Sequence, residues 1–426
     1  MNFWKLLYNT ATVPLLWILL QTAGLFNKKI KSGIAGRLFL FEQLEVSVKT
    51  LRNKNRLWFH SSSLGEFEQA KPIIQTIKKK FPSVDIITTF FSPSGFDHSK
   101  NYQFSDITSY IPFDSYANAK RFIELVKPTA AIMVRYDIWP NFIWRLKKNN
   151  TPTFIANATM SGNSLRKTVI AKQFHRSLYE NFSHILTVSE NDRDSFLSFG
   201  TRSPNIIAVG DTRFDQVMLR SEEARVKQLL PQQVIRDKKI FIAGQSWEED
   251  EEVIIPALLK MQDHDENILA ILVPHEPTVE HLEELESTLR NRTTSIRFSE
   301  ITNYHGEKII LIDSVGVLVA LYKYAHVVYI GGSFRQGIHN VLEPAVFGVP
   351  IIFGPKHTNS QEAVELLRRG GGFVIHDGRE FYRTLRSLFE NVELRYQSGK
   401  IAQAFVHEHC GATDRFLHYL EPFLKS

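Results

Sequence analysis

Short apolar runs recur along the first half of this chain, and each is followed by a stretch long enough for a helix. The runs are rich in β-branched and aromatic residues and have the length of ordinary strands. Strands that alternate with helix-length segments are typical of a parallel sheet with helical crossovers. The pattern predicts strands at Arg56–Ser61, Val84–Phe91, Ala130–Val134, Thr153–Ala158 and His184–Val188.

The alternation weakens at Arg220–Asp237, a polar stretch that contains Pro231, and we expect a linker there, at residues 220–237. It then resumes, which predicts an α/β protein with two Rossmann-like, doubly wound domains facing a cleft, at residues 35–219 and 238–400. Residues 401–426 are helical in pattern and are expected to pack back on the first domain. The second set of strands is expected at Lys239–Ala243, Ile268–Val273, Lys308–Ile312, Val327–Ile330 and Pro350–Phe353.

An apolar run also occupies the amino terminus, from Ala11 to Phe26, and the lysines Lys28, Lys29 and Lys31 follow it. The run is shorter than the ~20 residues that a spanning helix needs, but apolar residues before it extend the segment. We expect residues 1–34 to form a membrane anchor that either spans the bilayer or lies in its interface, with the basic flank on the cytoplasmic side. A buried core helix is the alternative.

Charge and cysteine usage narrow the classes of partner. The formal net charge is +6, which favours anionic partners such as membrane lipids or phosphorylated substrates. Basic residues are spread along the chain without the clusters or motifs of nucleic-acid-binding proteins, so nucleic acid is not an expected partner. The single cysteine, Cys410, excludes an intramolecular disulfide and a multi-cysteine metal site. We expect no metal and no cofactor.

The turn after the first predicted strand, His60 to Glu66 (HSSSLGE), is the first candidate for chemistry. Its small residues and glycine let the backbone bend closely around a ligand. Glu66 then lies in the first turn of a helix. The carboxylate is either a general base for an acceptor hydroxyl or a residue that complements the helix dipole.

Two further polar groups lie near strand ends in the first half. Arg135 and Asp137 precede Trp139 and follow the third predicted strand, either as a site wall or as a surface ion pair. Arg213 lies near the end of the first domain. Its guanidinium is suited to stabilise a departing phosphate, with a solvated arginine as the alternative.

The second half has an ordered series of turns after its strands, a pattern that favours a nucleotide-sugar domain. Ser246 follows the first strand of this half, and Pro274 with His275 ends the next. Gly331-Gly332 follows a later strand, where backbone amides are expected to approach a phosphate. Asn340 is placed to cap a short helix, and Glu343 to reach a ribose hydroxyl pair.

Together these motifs resemble the transferases of 3-deoxy-D-manno-octulosonic acid (Kdo) that act on lipid A precursors, a family with the GT-B fold. The resemblance covers nearly the whole chain and includes the anchor, Ser63–Glu66, Thr88–Gly95, Tyr110–Asp114, Trp139–Asn141 and Gly331–Glu343. It implies CMP-Kdo as the donor, a tetraacylated lipid A precursor as the acceptor, and inverting transfer at the cytoplasmic face of the bacterial inner membrane.

By this resemblance Glu66 falls on the family's catalytic base, and Arg213 falls where the family usually has a lysine that assists the transition state. Asp137 is the second acid before the Trp-Pro-Asn motif, whereas the first acid is replaced by Arg135. Besides Ser246, the residues implied in binding the nucleotide sugar are Pro274, His275, Val315, Gly316, Val317, Asn340, Val341, Leu342 and Glu343.

The chain departs from the family pattern in the second domain as well. His275 stands in place of a usual arginine, Val317 in place of a usual glutamate, and Gln245-Ser246-Trp247 in place of a usual Ser-Thr pair. Two rival hypotheses stay open at this point. One is a different GT-B transferase or epimerase that uses a UDP-sugar, and the other is a non-catalytic nucleotide-sugar-binding or lipid-binding membrane protein.

Overall fold

The computed structural model describes residues 3–162, 164–202 and 204–424, and its chain divides into two compact units. Unit 1 comprises Met1–Gln216 and Cys410–Ser426, and unit 2 comprises Val217–His409. The sequence placed the first domain at 35–219 and the second at 238–400. The division falls instead within the helix Thr212–Arg225, because the polar stretch that suggested a linker begins as a continuation of that helix.

Unit 1 contains a seven-stranded parallel sheet in the order β3-β2-β1-β4-β5-β6-β7. The five expected strands are present. The other two escaped the pattern because each has only four residues and is not continuously apolar. The strands are β1 (Arg56–Ser61), β2 (Asp85–Phe90), β3 (Ile107–Tyr110), β4 (Ala130–Val134), β5 (Thr153–Ala158), β6 (His184–Thr187) and β7 (Asn205–Ala208).

Helices cover both faces of this sheet, which is why strands such as β4 and β5 are buried along their whole length. The α-helices up to the division are α1 (Phe3–Leu7), α2 (Val13–Phe26), α3 (Lys28–Ala35), α4 (Leu40–Val48), α5 (Leu64–Lys80), α6 (Pro93–Ser99), α7 (Tyr116–Val126), α8 (Pro140–Lys148), α9 (Val169–Tyr179), α10 (Glu190–Leu197) and α11 (Thr212–Arg225).

Unit 2 contains a second seven-stranded parallel sheet, in the order β10-β11-β9-β8-β12-β13-β14. The two strands that the sequence did not predict have three residues each, too few for a periodic signal. The strands are β8 (Lys239–Ser246), β9 (Ile268–Pro274), β10 (Ser295–Arg297), β11 (Ile309–Leu311), β12 (Val327–Ile330), β13 (Ile351–Phe353) and β14 (Gly372–Val374).

The remaining helices belong to unit 2, except for the last one, which follows Cys410 and returns to unit 1. They are α12 (Gln232–Ile235), α13 (Glu248–His264), α14 (Val279–Leu289), α15 (Leu318–Leu321), α16 (Leu342–Ala345), α17 (Gln361–Arg369), α18 (Gly378–Glu390), α19 (Val392–His409) and α20 (Ala412–Leu420). The predicted α/β architecture of two doubly wound units is confirmed.

Each sheet has one topological switch point, where the strand order reverses direction. In unit 1 it lies between β1 and β4, and in unit 2 between β8 and β12. Ligands of doubly wound folds bind outside the carboxyl ends of the strands at such a point. The turns that follow these four strands are therefore the places to look for a site.

The amino-terminal segment forms a helical hairpin on unit 1. A π-helical turn, Tyr8–Thr12, joins α1 to α2, so that Phe3–Phe26 is one helix, long and apolar enough to cross a membrane by length and composition. Asn27 then caps α3, its side chain accepting hydrogen bonds from the Lys29 and Ile30 amides. Gly24 permits close packing of α2 on α3, because a Cβ there would lie 2.8 Å from Ile34.

Candidate active site

The switch point of unit 1 holds a buried carboxylate, Glu66. Its side chain is 6% exposed, and its Oε2 accepts hydrogen bonds from the Ser62 amide at 2.5 Å and the Ser63 amide at 3.3 Å. Ser63 has an extended backbone and begins α5, which puts Glu66 in the first turn of the helix. Because both hydrogen bonds end on Oε2, the other oxygen, Oε1, is the one placed to take a proton.

The surroundings of Glu66 make it a stronger base than an ordinary glutamate. Burial raises its pKa, and the nearby negative charge of Asp137 raises it further. The two backbone hydrogen bonds and His60 act in the opposite direction without cancelling the rise. A carboxylate with a raised pKa that is held at a strand end is suited to general base catalysis.

A second carboxylate, Asp137, follows β4 and is held by two ring nitrogens. His60 Nε2 lies 2.8 Å from Asp137 Oδ2, and Trp139 Nε1 donates to the same oxygen at 3.1 Å. Burial alone would raise the pKa of Asp137, but the hydrogen bonds and charge of His60, together with Trp139, outweigh it, and the pKa is lowered. Asp137 is therefore a fixed negative charge beside Glu66.

A chain of hydrogen bonds continues from His60 into the core of unit 1. His60 Nδ1 lies 2.9 Å from Thr89 Oγ1, and Trp58 Nε1 donates to that hydroxyl oxygen at 2.8 Å. The distances fit one arrangement of donors: Thr89 donates its hydroxyl hydrogen to Nδ1, and Nε2–H donates to Asp137. The imidazole, which is fully buried, is thus held in one orientation.

Arg135, between β4 and Asp137, has a strained backbone. Its φ is +62°, in the left-handed region that a non-glycine residue adopts at a cost of about 1–3 kcal/mol. The strand hydrogen bond to Ala156 O is kept at 2.8 Å. Strain of this kind persists where the surroundings over-determine the conformation, and here it directs the chain so that Asp137 reaches His60.

Arg213 lies at the start of α11, where Asp211 holds it. Its backbone amide donates to Asp211 Oδ1 at 2.8 Å, and its Nε donates to Oδ2 at 2.7 Å. Asp211 belongs to a buried polar cluster in which Asn157 Nδ2 donates to Thr212 Oγ1 at 2.7 Å. The guanidinium is 45% exposed, so it is oriented by the protein and still accessible to solvent.

In unit 2 the double glycine after β12 does not present its amides to a ligand. The Gly331 amide donates to Gly244 O at 2.9 Å, and the Gly332 amide donates to Asp250 Oδ2 at 2.7 Å. The expectation that these amides approach a phosphate is therefore wrong. The glycines are needed for packing instead, since a Cβ on Gly331 would lie 2.2 Å from Gln245 O.

Beside these turns, one cation and three rings form a continuous stack. Arg335 lies 4.1 Å above the Trp247 ring, Trp247 stacks on His275 with centroids 4.5 Å apart, and His275 stacks on His339 at 4.4 Å. Trp247 Nε1 also donates to His339 Nε2 at 3.0 Å. Burial and the neighbouring His275 lower the pKa of His339 to about 4, so His339 is neutral at physiological pH.

The other residues predicted to bind the nucleotide sugar lie on loops of unit 2 with defined partners. Ser246 Oγ donates to Glu251 Oε1 at 2.7 Å, and Asn340 Oδ1 accepts from the Leu342 amide at 3.0 Å, at the start of α16. Glu343 lies 3.3 Å from Arg220.

The predicted residues after β11 are less enclosed. Val315 is 89% exposed, and Gly316 has a left-handed backbone with φ +82°. Val317 precedes α15. Pro274 ends β9, and His275 follows it directly. The role in nucleotide binding that the sequence predicted for these residues stays a prediction.

Sequence reasoning missed the partners that hold the site residues in place. His60, Thr89 and Trp58 were not predicted to act with Asp137, nor Trp247 and His339 with His275. One signal was available for the first set. His60 lies near the end of β1 and Asp137 follows β4, and the pairing of β1 with β4 brings these two strand ends together.

One set of side chains in unit 2 has the composition of a metal site. Ligand atoms of Glu248, His281 and Glu284 lie within 4.8 Å of one another at the start of α13 and on α14. His281 also bonds Glu251 Oε2 at 3.0 Å, and that hydrogen bond is the main reason that its pKa is raised. A raised pKa favours the protonated ring, in which neither nitrogen has a lone pair available for a metal ion.

Comparison with known proteins shows which enzymes the chain is similar to. Residues 34–216 match the sequence model of 3-deoxy-D-manno-octulosonic-acid transferase (kdotransferase). The 3-deoxy-D-manno-octulosonic acid transferase of Haemophilus influenzae is 26% identical over 381 residues, which cover 87% of this chain and 87% of that protein. A bifunctional glycosyltransferase/methyltransferase of Fusobacterium nucleatum is 25% identical over 385 residues, covering 87% of this chain. The chain spans only 58% of the length of the Fusobacterium protein.

Among solved structures, the UDP-GlcNAc 2-epimerase of Neisseria meningitidis bound to UDP-GlcNAc has a TM-score of 0.60 and 14% sequence identity. The match covers 87% of this chain and all of the epimerase chain, and it shows a shared fold with two doubly wound units. The likeness to Kdo transferases extends beyond the residues of the family model, through both units. The chain is therefore similar to the Kdo transferases over most of its length, and it has the GT-B fold.

Proposed function

We propose that this protein transfers Kdo from CMP-Kdo to a hydroxyl of a tetraacylated lipid A precursor, with inversion at the anomeric carbon. The observation that carries the proposal is the buried carboxylate of Glu66, with its raised pKa, at the switch point of unit 1. Similarity to the Kdo transferases supports the sugar, because the relatives are named for transfer of that sugar.

The proposed reaction is a single displacement. The acceptor oxygen attacks the anomeric carbon of Kdo, the bond from that carbon to the phosphate oxygen breaks, and its electron pair leaves with CMP. Glu66 Oε1 takes the hydroxyl proton, so that the attacking oxygen gains negative charge only as its bond forms. Glu66 must be ionised to act in this way, and activity is expected to rise as pH rises through its raised pKa.

Asp137 is a positioning residue in this proposal. Its oxygen is already bonded to His60 and Trp139, so it acts on Glu66 through its charge. A fixed anion nearby makes proton uptake by Glu66 more favourable, which is what a general base needs. His60 in turn keeps Asp137 in place.

Arg213 is proposed to stabilise the phosphate that leaves. It is a permanent cation, it is half exposed, and Asp211 fixes its direction. The phosphate of a nucleoside monophosphate carries less charge than a diphosphate, and the mechanism uses no metal ion. The Glu248, His281 and Glu284 group of unit 2 has no part in it.

Unit 2 is proposed to bind CMP-Kdo at its switch point. The turn after β8, the residues Pro274 and His275, and the segment Asn340–Glu343 lie at carboxyl ends of strands in the same sheet. The stack that includes His275 and His339 gives these loops a fixed wall of planar rings. A neutral imidazole in that wall donates or accepts hydrogen bonds without adding charge.

The amino-terminal hairpin is proposed to enter one leaflet of the membrane without crossing it. Its first turns are docked on unit 1: Tyr8 is 8% exposed and donates to Asp114 at 2.8 Å, and Asn9 donates to Asn141 at 3.0 Å. The 14 residues of α2 that remain span about 21 Å at 1.5 Å per residue, less than the ~30 Å of a bilayer core.

Both ends of the hairpin are attached to unit 1, which supports insertion into a single leaflet. At the far end, Arg37 donates from Nε to Ile111 O at 2.8 Å and from Nη2 to Phe91 O at 2.8 Å. The lysines of α3 are placed to meet anionic head groups on the cytoplasmic side. The exposed apolar side chains of α2 include Leu15, Trp17, Ile18, Leu25 and Phe26.

The test is incubation of the full chain in detergent micelles with CMP-Kdo and a tetraacylated disaccharide bisphosphate, with the products weighed by mass spectrometry. A mass increase of one or more Kdo residues, with release of CMP, is the expected result. Transfer from a UDP-sugar in place of CMP-Kdo, or no transfer despite binding of CMP, would overturn the proposal. Thermal shifts with CMP and with UDP, measured in parallel, identify the nucleotide that unit 2 prefers.

A further inference from the structure

A cavity of about 410 Å³ lies in unit 1 between the amino-terminal hairpin and the loop that follows β2. Its walls are mostly apolar and come from both arms of the hairpin and from the body of the unit. Cavities of this size accommodate small organic ligands or one flexible chain. The side chains that form most of its wall are Trp17, Leu20, Ile30, Ile34, Phe91 and Phe113.

The cavity is held open by fixed contacts at its base. Arg37 lines it and ties α3 to the body of the unit through the hydrogen bonds to Phe91 O and Ile111 O. Its guanidinium also lies 4.9 Å from the Phe91 ring and 4.8 Å from the Tyr110 ring. Closing the cavity by moving the hairpin toward the body of unit 1 would therefore break these contacts of Arg37.

The same loop connects the cavity to the candidate active site. Phe91, Ser92 and Pro93 line the cavity, and the Ser92 amide donates to Ser62 O at 2.9 Å. Ser62 in turn donates its own amide to Glu66. On the other side, the Phe91 ring packs 4.9 Å from Trp139, which bonds Asp137. The loop of residues 91–93 therefore forms one wall of the cavity and also contacts the residues that hold Glu66 and Asp137.

We propose that this cavity binds one acyl chain of the acceptor lipid while the sugar head group lies at Glu66. The inference rests on the proposed function, because the proposed acceptor is the lipid whose acyl chain would occupy the cavity. The apolar lining suits a hydrocarbon chain, and Lys29 at the margin suits a phosphate or another anionic group on the same molecule. A membrane phospholipid has the same chain chemistry, but the shared wall at Ser92 favours the lipid that reacts.

The cavity is tested by filling it. Leu20→Trp and Ile34→Trp each add bulk to the wall, and Val46→Trp adds similar bulk at a residue of α4 that is 66% exposed and does not line the cavity. The expected result is a KM for the tetraacylated acceptor at least ten-fold higher in both cavity variants. The KM for CMP-Kdo and co-sedimentation with anionic vesicles should not change, and Val46→Trp should match the wild type.

Unchanged acceptor KM values in both cavity variants would overturn the inference, as would a rise in KM that follows a parallel loss of vesicle binding.

A photo-crosslinking measurement does not depend on turnover. An acceptor lipid with a diazirine at the end of one acyl chain should label residues 17–38 of the full chain, more strongly than a phospholipid carrying the same group. Equal labelling by both lipids, or labelling confined to other segments, contradicts the inference. A wild-type chain that transfers no Kdo contradicts the proposed function and leaves the crosslinking result to decide on the cavity.

Discussion

After β1 and after β8 the chain makes the same kind of turn, and in each case a carboxylate lies in the first turn of the next helix. In unit 1 this residue is Glu66, which accepts two backbone hydrogen bonds on one oxygen. In unit 2 it is Asp250, which accepts on both oxygens, from Tyr329, Gly332, Trp247 and Phe334. Burial raises the pKa of both carboxyl groups.

The difference between them lies in how many hydrogen-bond donors each carboxylate has. Asp250 is fully buried and has a partner for each oxygen, so it ties β12 to the start of α13. Glu66 keeps one oxygen for a proton. An acidic residue at a helix start does not by itself indicate catalysis, and the number of partners around it separates a structural carboxylate from a reactive one.

The largest effect that separates the two carboxylates is on turnover. Glu66→Gln removes the proton acceptor and keeps the shape of the side chain, so kcat for Kdo transfer should fall by about 10²- to 10⁴-fold. The affinity for CMP should stay the same. Because burial disfavours the ionised carboxylate, the variant should be at least as stable at neutral pH as the wild type.

Steady-state kinetics and thermal unfolding measure both results. Glu68→Gln, two positions along the same helix, changes a residue that pairs with Lys71 and should keep wild-type turnover within about three-fold. Turnover retained by Glu66→Gln would remove Glu66 from the mechanism.

The matching change in unit 2 should act on stability. Asp250→Ala leaves buried donors without an acceptor, at about 1–3 kcal/mol for each unsatisfied group. The free energy of unfolding of unit 2 should fall by about 4 kcal/mol or more, measured by urea denaturation, and CMP binding should weaken with it. Asp263→Asn, at an exposed site near the end of α13, serves as the control. An Asp250→Ala variant of normal stability would contradict the structural role of this carboxylate.

A smaller change tests the electrostatic part of the site. Asp137→Asn removes a negative charge that raises the pKa of Glu66, so that pKa should fall. Since Glu66 acts as the ionised base, the acidic limb of the profile of kcat against pH should move to lower pH. Asp97→Asn, an exposed acid of the same unit, should leave the profile in place. A shift to higher pH, or none, would show that Asp137 acts otherwise than through its charge.

The smallest expected effect concerns the ring stack of unit 2. Trp247→Phe keeps an aromatic ring but loses the hydrogen bond to His339, a loss of about 1 kcal/mol, or roughly five-fold in affinity. Calorimetric titration with CMP measures it, with the exposed Tyr396→Phe as the control. Because the pKa of His339 is about 4, protonation of that ring should not alter CMP binding between pH 6 and pH 8. An unchanged affinity would mean that the stack does not form part of the donor site.

Much of the fold was predictable, because the sequence of a strand buried on both faces is a nearly continuous run of apolar residues. The four strands that were missed, such as Ser295–Arg297, are too short to carry that signal. The position of Glu66 was predictable for the same reason, since it follows β1 directly. The hydrogen bonds of the Gly332 amide were not, because they depend on Asp250, a residue 82 positions away along the chain.

The division of the chain was harder to predict than its strands. A polar stretch at 220–237 suggested a linker, but polarity in that region belongs partly to the exposed face of the helix Thr212–Arg225. Likewise, the apolar amino terminus suggested an anchor without showing that Tyr8 is part of the core of unit 1. Local composition reports exposure and does not report which surface a segment contacts.

The contact between Tyr8 and Asp114 has a practical consequence for obtaining this protein in soluble form. Asp114 is buried, burial raises its pKa to about 7, and its Oδ2 accepts a hydrogen bond from the Tyr8 hydroxyl. Trimming the first 26 residues to improve solubility would remove that donor and expose the core around it. Polar replacements at exposed positions of α2, such as Leu15 and Ile18, remove exposed apolar surface. They leave the contacts of Tyr8 and Asn9 with unit 1 in place. For expression and crystallisation, the apolar segment is better redesigned than deleted.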